Sequence, residues 1–104
     1  MLGVLYSDKY YWKPNYDPMT QLKKDYIVAT IDLAEGLSGD HDNTICCFNK
    51  IKAGGKTECV GYFKSNDISR EQYAYSLLQV FANFCNPIRL LISFEKNTYG
   101  DLFI

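Results

Sequence analysis

The sequence predicts an α/β fold with a mixed sheet, built in the order β-β-β-α-β-α. Apolar, β-rich runs at residues 26–31, 44–51 and 57–64 predict three strands joined by short loops, which makes them antiparallel neighbours. A helical pattern from residue 69 is followed by a further apolar run at residues 88–94. A helix that connects two such strands makes them parallel, with a right-handed crossover.

The composition is that of a folded domain. The chain has 104 residues, of which 47% are hydrophobic and 22% charged, so it is long enough for one small domain and too apolar to be disordered. The formal net charge of -1 gives no general attraction to nucleic acid, so a nucleic-acid function would depend on a local site. No apolar run approaches the roughly 20 residues of a membrane span, and we expect no membrane contact.

Residues 1–24 differ from the rest and are interpreted as a leader or interdomain linker, with a partial domain over residues 25–104. The segment is polar and aromatic, with two prolines and no clear period. Its rings either stack on nucleic-acid bases or pack against the domain, and packing is the preferred interpretation because exposed rings are costly. The rings concerned are Tyr10, Tyr11, Trp12 and Tyr16.

Local signals define the ends of the elements. Continuous apolar runs at residues 26–31 and 88–94 are typical of strands covered on both faces, and residues 53–56 carry a glycine-rich hairpin signal. Ser69 and Gln72 form a capping box, and the pair Asn86-Pro87 ends the helix. One buried helix face is predicted from apolar residues at helical spacing: Tyr73, Leu77, Val80, Phe81 and Phe84.

The four cysteines, Cys46, Cys47, Cys59 and Cys85, include no C-x-x-C pair. The single His41 is not spaced to complete a zinc site with them. Three of them lie within apolar runs, so they are interpreted as buried, reduced thiols that act as small hydrophobic residues. Such thiols favour a reducing cytoplasm.

Two carboxylates close the predicted parallel strands. Asp32 ends the first strand and Glu95 follows the fourth. An acid at the end of a buried strand is costly unless it is paired or bound to a cation. Neighbouring strands lie about 4.8 Å apart, so both acids would face one crevice at the carboxyl ends of the strands. Oxygen ligands of this kind favour Mg²⁺ or Mn²⁺, and two such ions can activate water against a phosphodiester.

Further polar residues accompany this pair. Glu35, Asp40 and Asp42 lie in a glycine-bearing turn, from which they either reach the same metal ions or form a solvated acidic turn. For Asp42 alone the turn role is preferred. Three lysines surround the hairpin and either contact a phosphate backbone or form a solvated hairpin tip, which is the preferred interpretation: Lys50, Lys52 and Lys56.

Two acidic motifs resemble those of the nuclease domain of tailed-phage large terminases. Residues 31–36 (IDLAEG) with residues 39–43 (GDHDN) are similar to the first motif of that family, and residues 93–100 (SFEKNTYG) to the second. The spacing between them, filled by two strands and one helix, also matches. The resemblance covers residues 25–104.

The resemblance implies an RNase H-like fold and a two-metal DNA endonuclease that cuts concatemeric viral DNA during packaging. Asp32 and Glu95 would be catalytic metal ligands, Asp40 a further ligand, and Glu35 and Asp42 supporting acids. The implied partners are double-stranded DNA, the ATPase domain of the parent chain, the portal and the small terminase. The implied location is the cytoplasm of an infected bacterial host.

Two departures from the family narrow this expectation. The family's third acid lies beyond the second motif, past residue 104, so we expect a truncated domain with an incomplete set of catalytic acids. No phosphate-binding G-x-x-x-x-G-K-[ST] motif is present, which excludes the motor function from this chain. Two alternatives stay open: another RNase H-like nuclease of the junction-resolvase type, or a non-catalytic fragment that self-associates through an uncovered sheet.

Overall fold

The computed structural model describes residues 2–32, 44–66 and 68–94. They form one five-stranded sheet in the order β1-β4-β3-β2-β5. The strands are β1 (Tyr10–Trp12), β2 (Ile27–Asp32), β3 (Thr44–Ile51), β4 (Thr57–Ser65) and β5 (Leu90–Phe94). The helices are α1 (Pro18–Gln21) and α2 (Arg70–Phe84), with 3₁₀ turns at Leu2–Tyr6 and Pro87–Arg89.

The predicted mixed α/β sheet is confirmed. Strands β2, β3 and β4 pair antiparallel in chain order, and β5 returns to pair parallel with β2. The tight turn between β3 and β4 contains Gly54 and Gly55, whose φ angles of 88° and 83° lie in the left-handed region that glycine adopts without strain. Helix α2 supplies the crossover between β4 and β5, as the chain order predicts.

Helix α2 begins and ends where the sequence predicts. The Ser69 hydroxyl accepts a hydrogen bond from the Gln72 amide, and the Gln72 side chain accepts one from the Ser69 amide, which completes the capping box. Every residue of its predicted apolar face is buried: Tyr73, Leu77, Val80, Phe81 and Phe84. None of the helices in the described part of the chain is long and apolar enough to span a membrane.

Residues 2–24 share the sheet and the core of the rest. Strand β1 pairs antiparallel with β4 and extends the sheet beyond it. Leu5 and Leu22 are fully buried in the common core, and the Trp12 indole N–H donates a hydrogen bond to the Leu5 carbonyl. The preferred interpretation of this segment, aromatic rings packed against the domain, is confirmed for Tyr10, Trp12 and Tyr16.

Only one face of the sheet is well buried, which corrects the expectation that β2 and β5 are covered on both faces. Helix α2 and the core lie on the side of Ile27, Ala29 and Ile31, because alternate residues of a strand point to opposite faces. On the opposite side, which we call the open face, side chains are partly or largely exposed. The open face includes Tyr11, Val28, Thr30, Cys47, Tyr62 and Leu91, which the strand register aligns.

The continuous apolar runs therefore did not mean two-sided burial. Strand β5 lies at an edge of the sheet, where Leu91 is 63% exposed and Ile92 41% exposed. An apolar side chain on a strand can be buried or exposed, so a run of apolar residues does not show which face of the strand is covered.

Candidate metal centre and the open face of the sheet

Asp32 is the last residue of β2 and is exposed on the open face. Its position follows from alternation, since Ile27, Ala29 and Ile31 point into the core and the residues between them point the other way. The backbone of Asp32 pairs with Ile45 of β3, which ties this end of β2 into the sheet. A carboxylate here reaches solvent and a ligand without being buried.

The parallel ladder between β2 and β5 ends next to Asp32. Its last described pair is Ile31 with Phe94. The residue that follows Ile31 is Asp32, and the residue that follows Phe94 in the sequence is Glu95, which lies outside the described residues. The prediction that the two strands bearing these acids are parallel neighbours is confirmed.

Of the five predicted acids, the structure therefore describes Asp32, whereas Glu35, Asp40, Asp42 and Glu95 lie outside the described residues. Within the described ranges, no group of three or more His, Cys, Asp or Glu side chains is arranged to hold a metal ion. The structure therefore describes two parts of the predicted site, which are the position of Asp32 and the strand beside it.

Three other acids of the described chain serve the structure instead. Asp25 accepts a hydrogen bond of 3.1 Å from the Tyr16 hydroxyl and pairs with Lys50 at 3.8 Å. Glu58 pairs with the ammonium groups of Lys13 and Lys52. Asp17 caps the N-terminus of α1, because its carboxylate accepts a hydrogen bond from the Met19 amide. These contacts give the three acids roles in holding the fold together.

The fit of Asp32 to a divalent cation rests on its donor chemistry. A carboxylate is a hard oxygen ligand, which suits Mg²⁺ or Mn²⁺ better than a soft metal. Two of the thiols that would favour zinc or iron, Cys46 and Cys85, are buried in the core. The acid that the sequence singled out therefore has the exposure and the chemistry that such an ion requires.

The two buried cysteines, Cys46 and Cys85, are poorly suited to a nucleophilic role. All four are thiols, and burial is the main cause that raises the pKa of Cys85 to about 11 and that of Cys46 further still. A raised pKa keeps a thiol protonated and unreactive near neutral pH. The prediction of burial is wrong for Cys59, which is exposed because it faces away from the core.

Lysines near the hairpin mostly form ion pairs. Lys50 lies 3.8 Å from Asp25, and Lys52 lies 3.8 Å from Glu58. Such exposed pairs contribute only about 0 to 1 kcal/mol, but they partly neutralise the positive charge that a phosphate backbone would need. These contacts favour the interpretation of the hairpin as a solvated tip.

Several further residues share the open face with Asp32, and the sequence did not predict that they lie together. Along one row of the register, Asp32 pairs with Ile45 and Ile45 pairs with Lys64. In the next row, Tyr62 pairs with Tyr11 of β1. The alternation of Tyr62 and Lys64 within β4 is a signal that could have placed both on one face, but the pairing of β1 with β4 was needed to add Tyr11.

Comparisons with known proteins add no relative. The chain matches no family model, no curated protein and no solved structure.

Proposed function

We propose that this chain carries part of a divalent-metal-dependent nuclease site in an RNase H-like fold, with Asp32 and Glu95 as the central metal ligands. One observation carries the proposal: the parallel ladder of β2 and β5 has Ile31 and Phe94 as its last described pair. In the sequence, Asp32 ends β2 and Glu95 comes directly after Phe94 of β5. Ligands of open α/β sheets bind at the carboxyl ends of the strands.

The fold assignment has support of its own. An antiparallel set of three strands, a helix, and a return strand parallel to the first is the order that an RNase H-like interpretation requires of this chain. Strand β1 adds to the outside of β4 without interrupting that order. The fold alone does not define a function, so the acids have to carry it.

The proposed chemistry is phosphodiester hydrolysis. Asp32 and Glu95, with Asp40, would hold Mg²⁺ or Mn²⁺, and Glu35 and Asp42 would support them. The bound ions would activate water and stabilise the leaving oxygen. In this proposal the substrate is double-stranded viral DNA in the cytoplasm of an infected bacterial host. A terminase role would add the parent ATPase domain, the portal and the small terminase as partners, whereas a junction resolvase would use the same two acids on branched DNA.

The experiment that tests the metal site is a calorimetric titration of the chain with Mg²⁺ and with Mn²⁺. We expect saturable binding at millimolar or lower concentration. Asp32→Asn and Glu95→Gln should each weaken it at least about tenfold, because even groups that only orient metal ligands contribute that much. Both substitutions keep the size of the side chain and remove its charge.

The matched control is Glu71→Gln, which removes a carboxylate from the exposed first turn of α2 and should leave the titration unchanged. Circular dichroism of each variant verifies that the sheet is intact. Absence of binding by the unsubstituted chain, or binding that survives in both Asp32→Asn and Glu95→Gln, would contradict the proposed site.

A second candidate function is a non-catalytic module that associates with a second copy of itself through β5. The outer edge of this strand has no partner strand within the described residues, and both of its faces show apolar side chains. The run LLISF contains none of the charged residues or prolines that usually block pairing between sheet edges. Edge-to-edge pairing of two copies would continue the sheet and cover these residues.

Light scattering at several concentrations tests this candidate. Self-association predicts a mass that rises towards that of a dimer, and Leu91→Lys should restore the monomer by adding a charge to the edge strand. Leu78→Lys places the same charge on an exposed position of α2 and should have no such effect. A monomer at every concentration would exclude the candidate.

A further inference from the structure

The pairing of β1 with β4 brings two tyrosines and two lysines together on the open face. Tyr11 and Tyr62 are register partners, and two positions further along the same ladder the Lys64 amide donates a 3.0 Å hydrogen bond to the Lys9 carbonyl. Because side chains alternate along a strand, residues two apart share a face. We call Lys9, Tyr11, Tyr62 and Lys64 the tyrosine–lysine platform.

The residues between them confirm the assignment of faces. Tyr10 and Phe63, which pair with each other one position away, point into the core and stack with their ring centroids 4.4 Å apart. The rings of Tyr11 and Tyr62 also stack, at 5.2 Å and 25°, but on the opposite side of the sheet. Tyr11 remains 49% exposed there, so an aromatic surface is presented to solvent instead of being used in the core.

The platform lies in a surface cleft of about 420 Å³, a size within the range of small-ligand sites. Among the described residues that line this cleft, two are lysines, Lys9 and Lys64, and one is an acid, Asp8, so these residues carry one excess positive charge. An excess of positive charge beside exposed rings is the combination that single-stranded nucleic acid recognises, since phosphates pair with lysines and unpaired bases stack on aromatic side chains. A duplex keeps its base faces covered and would use the lysines alone.

The platform is also close to Asp32. Lys64, Ile45 and Asp32 lie in one row across β4, β3 and β2, and two strand spacings correspond to about 10 Å. A single oligonucleotide is long enough to contact both ends of that row. The acid proposed to hold metal and the platform therefore face the same side of the sheet.

We propose that the tyrosine–lysine platform binds a single-stranded segment of DNA, with its phosphates at Lys9 and Lys64 and a base on the Tyr11–Tyr62 pair. This binding surface is separate from the duplex-cutting site of the proposed nuclease. The binding itself needs no metal ion, so the two proposals can fail separately.

The test is fluorescence anisotropy of a labelled oligothymidylate, and of a duplex of the same length, in the presence of EDTA. The single strand should bind more tightly than the duplex. Tyr11→Leu and Tyr62→Leu should each weaken its binding about tenfold, as expected for loss of one base–aromatic stack. Lys64→Gln should lower the slope of log K against log salt by about 0.7, the value for one phosphate contact with a single strand.

One variant should strengthen binding. Asp8→Asn removes the negative charge of the cleft and is expected to tighten the complex several-fold, which a merely destabilising substitution would not do. Two matched controls should leave binding unchanged: Tyr75→Leu, an exposed tyrosine of α2, and Lys56→Gln, at the hairpin.

Several results would overturn the proposal. They are equal or tighter binding of the duplex, binding unaffected by both tyrosine substitutions in folded variants, or an Asp8→Asn variant that binds no more tightly. Asp32→Asn separates the two proposals, because it should lose metal binding in the calorimetric titration and keep oligothymidylate binding in EDTA. If Asp32→Asn instead abolishes oligothymidylate binding in EDTA, the platform is not the binding surface.

Discussion

Replacing Phe48 by alanine is expected to lower the free energy of unfolding by about 3 to 5 kcal/mol, the cost of removing a large aromatic side chain from a packed core. Domains of this size are stable by only about 5 to 15 kcal/mol, so the variant should be marginally folded or unfolded. The measurement is urea denaturation followed by circular dichroism, with the midpoint shifted and the slope unchanged.

The size of this effect follows from where Phe48 lies. The ring is fully buried on β3. It meets Phe81 of α2 edge-on, with the centroids 6.3 Å apart, and it packs against Trp12 of β1 at 5.3 Å. One side chain thus joins the helix, the centre of the sheet and the N-terminal segment, and its removal would leave a cavity bordered by all three.

Tyr75→Ala is the matched control, because it removes an aromatic ring from α2 that is 67% exposed. Its effect should stay near 0.5 kcal/mol or below, in the range of ordinary surface substitutions. A loss of less than about 1 kcal/mol in Phe48→Ala would contradict the packing of α2 and β1 on β3, since burial of this ring could then not be what joins them.

The elements that could be predicted from the sequence are those set by local chemistry. The capping box at Ser69 and the two glycines of the hairpin act within a few residues, and the structure contains both. The parallel pairing of β2 and β5 was also predictable, because a helix between two strands leaves few other arrangements. For the same reason the position of Asp32, at the carboxyl end of the strand beside β5, followed from the sequence.

Strand β1 could not be predicted in the same way. Three residues are too few to show the alternation that identifies a strand, and the segment owes its position to distant contacts, such as Trp12 against Phe48. Gly61 carried the one available signal, since a glycine within a strand often marks close approach of another backbone. A glycine does not show which segment of the chain approaches it, so Gly61 could not identify β1 as the neighbouring strand.

The two parts of the candidate site also differ in how far the sequence predicts them. The strand ends that position Asp32 depend on sheet pairing, which pattern and connectivity predict. The tyrosine–lysine platform depends on which strand lies beside β4, and no local pattern in residues 9–11 or 62–64 specifies that neighbour. The cysteine assignment failed at Cys59 for a related reason, because an apolar run does not reveal which of its faces is covered.

Replacing Gly61 by valine is expected to detach β1 from the sheet and to lower stability by about 1 to 3 kcal/mol, the usual cost of overpacking, or more. A Cβ atom at this position would overlap the Trp12 ring and lie 2.6 Å from the Tyr11 carbonyl oxygen. The ring can rotate, but the carbonyl belongs to the backbone of β1, so the two strands have to separate. Urea denaturation and amide hydrogen exchange of β1 measure the two effects.

The expected loss of stability is informative because the intrinsic strand preference of valine over glycine predicts a gain. Valine favours strands and glycine weakens them, so without a steric conflict the substitution would stabilise β4. Thr57→Val, at an exposed position of the same strand, measures that preference alone and should be neutral or stabilising. Trp12→Ala combined with Gly61→Val should cost less than the sum of the two single changes, since the ring contact is then already lost.

Detachment of β1 should also affect the two proposed binding functions of the open face differently. Lys9 and Tyr11 leave the platform with β1, so oligothymidylate binding in EDTA should fall at least as far as in Tyr11→Leu. Asp32 lies two strands beyond β4 in the sheet order, and metal binding by folded protein should persist. A Gly61→Val variant that keeps β1 protected from hydrogen exchange and binds oligothymidylate normally would contradict both the close approach at Gly61 and the part of the platform that β1 supplies.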